Sequence, residues 1–117
     1  MSKLFINYPK CSTCKKAEKF LKENNIEFIN RNIVEENPTA EELSLWMDKS
    51  GLEPRKFFNT SGVLYREMNL KDKIKTMSKE EMIEILSTNG MLVKRPLLVT
   101  EDIVLVGFKE ENYKEII

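Results

Sequence analysis

With 117 residues the chain has the length of one domain able to bury an ordinary core without disulfide staples. Lysine plus arginine and aspartate plus glutamate both total 19, so no net charge draws the chain to nucleic acid or to an anionic membrane surface, and direct nucleic-acid binding is not expected. Histidine is absent, which removes the commonest general base and metal ligand and leaves sulfur to carry the chemistry.

Lys3-Leu4-Phe5-Ile6-Asn7-Tyr8 is short, apolar in its middle and closed by Pro9, as a buried strand is. The opening Met1-Ser2-Lys3-Leu4 has no hydrophobic signal core, and no apolar run approaches the roughly 18 residues that span a bilayer, so a soluble cytoplasmic protein is expected. From about Ser12 the period changes. Cys14, Ala17, Phe20 and Leu21 recur at helical spacing with lysines on the other faces, and Asn24-Asn25 reads as the stop. Ile26 to Ile33 is rich in β-branched and aromatic residues and predicts a second strand, completing a parallel βαβ unit.

Thr39 with Glu42, and Ser78 with Glu81, have capping-box spacing ahead of helical apolar patterns, with Gly51 and Asn89-Gly90 as the respective stops. Pro54 opens a short helix through Phe57-Phe58, and Val63 to Leu70 is weakly helical. Trp46, Phe57 and Phe58 are expected in the core. Two β-rich runs, from Met91 through Leu97-Leu98-Val99 and over Ile103 to Gly107, flank a short polar turn and predict an antiparallel hairpin. Tyr113, Ile116 and Ile117 line one side of a terminal helix. The order is βαβ, a helical segment over about 39–90, then ββα. It looks like an α/β, thioredoxin-like fold with a mixed four-stranded sheet and a helical insertion, carried on a single domain over 1–117.

The two cysteines, Cys11 and Cys14, lie where the first strand gives way to the first helix. Unpaired N–H groups and the positive end of the dipole favour a thiolate there, and Lys10, Lys15 and Lys16 push the same way. Cys14 follows one helical turn later, placed to resolve a mixed disulfide formed at Cys11. A zinc site needs four ligands where the chain has two cysteines and no histidine, so no metal is expected. A pair of inert core thiols suits Cys14, on the apolar stripe, better than Cys11 beside Pro9 and Lys10.

Tyr8-Pro9-Lys10-Cys11-Ser12-Thr13-Cys14-Lys15-Lys16-Ala17, Phe57-Phe58-Asn59-Thr60-Ser61-Gly62 and Lys94-Arg95-Pro96-Leu97 together resemble the arsenate reductase (ArsC) family of thioredoxin-like proteins, in the branch of the Spx, MgsR and YusI-like proteins. The resemblance implies that Cys11 is the reactive thiol, that Arg95 faces it, and that Pro96 is cis. It also implies a redox disulfide between Cys11 and Cys14, with Ser12, Thr13, Lys15 and Pro96 around the substrate. No bound cofactor is implied; a thiol reductant such as glutathione or thioredoxin would supply electrons to a monomer acting on a small thiol or a thiol or disulfide protein. Glutathione-dependent arsenate reductases surround their cysteine with three arginines, of which Arg95 alone is kept here, with Asn59 and Phe108 in the other two places. Losing two guanidinium forks weakens oxyanion recognition. From sequence, Arg95 reads equally as half of a surface ion pair. The Spx branch further implies binding to the C-terminal domain of the RNA polymerase α subunit, a contact in which Gly51 takes part; a glycine there serves equally as a helix C-cap.

Overall fold

A computed structural model describes residues 3–116. Four strands, β1 (Leu4–Asn7), β2 (Ile29–Asn32), β3 (Leu97–Val99) and β4 (Val104–Val106), form one sheet in the order β2-β1-β3-β4. The β1–β2 pair is parallel and the other two are antiparallel. The mixed sheet is therefore the predicted one. Side chains alternate across a strand, so Phe5 and its partner Leu98 face one side while Ile6 and Leu97 face the other. Each pair seeds a separate core.

The Phe5 side is closed by α1 (Ser12–Glu23) through Ala17 and Leu21, and by the short α6 (Glu110–Tyr113) through the fully buried Tyr113. The Ile6 side carries the helical segment: α2 (Ala40–Ser50), α3 (Val63–Glu67), α4 (Leu70–Lys73) and α5 (Lys79–Leu86). Trp46, Phe57 and Phe58 are buried in this second core. Both capping boxes form, Thr39 with Glu42 and Ser78 with Glu81. Gly51 ends α2 at φ 68°, a left-handed conformation that glycine adopts at little cost.

Three elements differ from the sequence reading. β2 starts at Ile29 rather than Ile26, because the α1 cap uses the intervening chain. Asn25 takes φ 57°, its N–H reaches the Lys22 carbonyl, and the Ile26 N–H reaches back to Leu21 at 2.9 Å, closing a Schellman motif. Met91 and Leu92 belong to a 3-10 turn (Gly90–Leu92) in which the Met91 N–H is captured by the Asn89 side chain at 2.9 Å. Asn89 therefore opens that turn rather than ending α5, which stops at Leu86. The terminal helix is cut to α6 and a 3-10 turn (Lys114–Ile116); Ile117 lies outside the described residues, as do Met1 and Ser2. Among the described residues no helix is long and apolar enough to cross a membrane.

Candidate active site

Strand β1 runs out at Asn7, and the chain folds into α1 through a turn closed by the Cys11 N–H donating to the Tyr8 carbonyl at 3.0 Å. Cys11 is the helix N-cap: its Sγ accepts the Cys14 N–H at 3.3 Å, a place usually held by a serine or aspartate oxygen. A sulfur that accepts from an orphan N–H of the first turn is stabilised as an anion. Cys14, one turn on, is buried at 2% exposure, whereas Cys11 is half-buried.

The environments pull the two thiols apart. Burial pushes Cys11 up, but hydrogen bonding with Cys14 and the positive charge of the nearby Arg95 outweigh it, so the thiol ionises below its ordinary range. Cys14 is pushed up to about 12, first by burial and then by Cys11. The pair is thus a more readily ionised sulfur at a cleft and a less readily ionised one behind it.

Arg95 reaches the site from the other half of the sheet, directly before β3, and the Arg95–Pro96 bond is cis, as the family resemblance implies. Its guanidinium lies over the Tyr8 ring at 5.1 Å, and Nη1 points to the Met91 sulfur at 4.0 Å, a weak contact. No carboxylate among the described residues is ion-paired with it, which removes the surface ion-pair reading.

A cleft of about 550 Å³ opens beside Cys11, Thr13 and Arg95. Asn59 and Phe108 line it too, so both stand at the site rather than elsewhere on the surface. Phe108 is held edge-on to Tyr113 at 4.8 Å and tilted against Phe20 at 5.9 Å, an aromatic wall in place of a charged one. Not every predicted site residue is in the cleft. Lys15 lines a separate shallow hollow with Tyr8, Cys14 and Glu18, Ser12 is exposed at the start of α1, and Pro96 is buried behind Arg95. Lys10 and Lys16 are exposed. Sequence reasoning missed Lys56, Lys94 and Lys109 in the cleft and Tyr8 beneath Arg95. Lys94 could have been found as the neighbour of Arg95; the other two lysines carry no local signal, since the fold alone brings them there.

The model of the ArsC family matches residues 6–116. The chain belongs to the ArsC family. Among its relatives is the YusI protein of Bacillus subtilis (strain 168), 50% identical over 115 residues that cover 98% of each chain. The regulatory protein MgsR of the same organism is 32% identical, over 89% of this chain and 81% of its own. The global transcriptional regulator Spx of Enterococcus faecalis is 30% identical, over 91% of this chain and 79% of its own. Of the solved structures, an ArsC family related protein from Bacteroides fragilis superposes with a TM-score of 0.98 at 59% identity, covering 100% of this chain and 98% of that one. A possible arsenate reductase from Streptococcus mutans UA159 gives 0.88 at 40% identity, covering 96% and 97%. Family membership and the sulfur pair at the start of α1 together mark a thioredoxin-like redox protein.

Proposed function

We propose that this ArsC family member is a thiol-disulfide oxidoreductase that cycles Cys11 and Cys14 between dithiol and disulfide. The observation that carries the reading is the asymmetry of the two sulfurs, one capping a helix at a cleft and the other buried one turn behind. In the first step the Cys11 thiolate attacks one sulfur of a partner disulfide; that S–S bond breaks, and the departing thiolate takes a proton from water. Cys14 then loses its proton to solvent and attacks the Cys11 sulfur, forming the Cys11–Cys14 bond and releasing the partner's second thiolate. Two electrons pass to the partner, and a thiol reductant of the glutathione or thioredoxin class restores the dithiol. The Cys11 anion that helps keep Cys14 protonated disappears in the mixed disulfide, so the resolving thiol becomes easier to ionise at the step that needs it. Arg95 and the α1 N-terminus hold the thiolate or an anionic group of the substrate.

Arsenate is a poor fit as substrate, since Arg95 is the one bidentate fork among the described cleft residues and Lys56, Lys94 and Lys109 offer point charges in place of further guanidinium forks. The test is trapping. Cys14→Ser should stall as a mixed disulfide visible by mass spectrometry, and Cys11→Ser should form none; the reverse pattern would exchange the two roles. Equilibration in graded thiol buffers should give a reversible two-thiol transition between about −270 and −120 mV, the span of known redox folds.

A second reading is a redox sensor that binds the C-terminal domain of the RNA polymerase α subunit. It is favoured by the likeness to Spx and by Gly51, exposed at the end of α2 with open space around it. A pull-down with that polymerase domain, in reduced and oxidised protein, decides it. A complex in one redox state supports the sensor, and no complex in either removes it.

A further inference from the structure

The chain's net neutrality conceals a one-sided distribution of charge. Among the described residues, the cleft beside Cys11 is lined by Lys56, Lys94, Arg95 and Lys109 and by no carboxylate. Lys56 also lines a second groove, about 880 Å³, on the helical segment, where Arg55, Lys71 and Lys75 meet a single carboxylate, Glu53. The two hollows thus share a wall and a sign of charge.

Within the second groove Glu53 is taken up by Arg55 at 2.7 Å, and Lys75 has Asp72 at 3.9 Å. Among the described residues Lys56, Lys71, Lys94 and Lys109 have no carboxylate within ion-pairing distance, although the chain has as many acidic residues as basic ones. The groove also has an apolar lining of Tyr65, Ile74, Met77 and Met82, all at least half-buried. Like charges gathered at a concave surface repel one another and raise the local concentration of anions. Thioethers and an isoleucine beside them suit apolar side chains rather than a sugar-phosphate backbone.

We propose that this groove docks an acidic, partly apolar segment of a polypeptide whose cysteine or disulfide is thereby presented to Cys11. The inference rests on the oxidoreductase reading for the chemistry and deepens it: the substrate is an acidic protein thiol or disulfide, not a small thiol. A small thiol would fill the cleft alone and leave the second groove, with Lys71 unpaired among the described residues, without an occupant.

Docking is read apart from sulfur chemistry by fluorescence anisotropy. The probes are three labelled peptides of equal length and equal apolar content, each with serine in place of cysteine, flanked by glutamate, glutamine or lysine. At low ionic strength the glutamate peptide should bind at least about tenfold more tightly than the glutamine one, with the lysine peptide weakest. The advantage should shrink as salt approaches about 1 M, where charges are screened beyond about 3 Å. Lys71→Glu/Lys75→Glu, both exposed positions, should cut the ratio of the two affinities at least about fivefold, and Lys71→Gln/Lys75→Gln by less. Equal affinities for the three peptides, or a preference that survives the double charge reversal, would overturn the proposal. Displacement of the glutamate peptide by mercaptosuccinate or by oligothymidylate at equal concentration would likewise overturn it, in favour of a small anionic thiol or a nucleic acid. Exchange with hydroxyethyl disulfide is followed in parallel: its absence would refute the oxidoreductase reading, while anisotropy alone decides the docking.

Discussion

Arg95 is steered by two neighbours that are not themselves reactive, the Tyr8 ring below it and the Met91 sulfur beside it. Its charge is one of the influences that lower the Cys11 pKa, and each unit of pKa is worth about 1.4 kcal/mol, or tenfold in thiolate at a pH below the midpoint. Arg95→Met should therefore slow alkylation of Cys11 by iodoacetamide about tenfold at neutral pH and move the pH profile of that rate upward. Above both midpoints, where the thiol is fully ionised in either protein, the rates should converge. Tyr8→Phe keeps the aromatic face and should leave the profile in place, whereas Tyr8→Leu should move it part of the way toward that of Arg95→Met. A profile that Tyr8→Leu does not shift would mean that Arg95 is positioned without the ring.

At the scale of elements, the helical segment is tied to the sheet by one carboxylate with two duties. Glu42 caps α2 by accepting the Thr39 N–H at 3.0 Å, and it also takes both arms of Arg31, on β2, at 2.7 and 2.8 Å. Arg31 in turn lies over Trp46 at 5.8 Å. Thr39→Ala should cost about 1 kcal/mol in urea unfolding, the usual value of an N-cap, and Ser78→Ala the same at α5. Glu42→Gln should cost more, about 2 kcal/mol, because charge-assisted bonds to a half-buried guanidinium are lost with the cap. Arg31 holds the Glu42 carboxyl below its ordinary range. Its contribution is thus complete above the unfolded carboxyl pKa of about 4.3 and is lost as pH falls through the lower folded value. Glu42→Gln should accordingly show a flatter acid limb in its stability profile.

For the molecule as a whole, Cys14 sets an alkaline limit. Its thiol is raised to about 12 in the folded protein and ionises near 8.5 when unfolded, so the unfolded chain binds fewer protons between those values and stability falls as pH rises through that window. Melting of the reduced protein should show this decline, and Cys14→Ala should remove it below about pH 10, the ordinary phenol value above which the buried Tyr113, also pushed up, adds its own loss. The architecture was largely legible beforehand because its signals are local: capping boxes, helical periodicity, a Cys-x-x-Cys after an apolar strand. Ile26 and Met91 misled for the opposite reason, since strand-forming side chains there serve a helix cap and a 3-10 turn. Lys56 and Lys109 were invisible because their place beside Cys11 comes from tertiary folding alone. The same holds for Gly90, where an added Cβ would sit 1.8 Å from the Ile33 carbonyl. That backbone crossing fastens the stretch leading to Arg95 against the exit of β2. In a mutational scan scored by turnover, Gly90 would therefore rank beside the two cysteines as intolerant while contributing no atom to the reaction; scoring abundance in parallel would sort the scaffold position from the chemical ones.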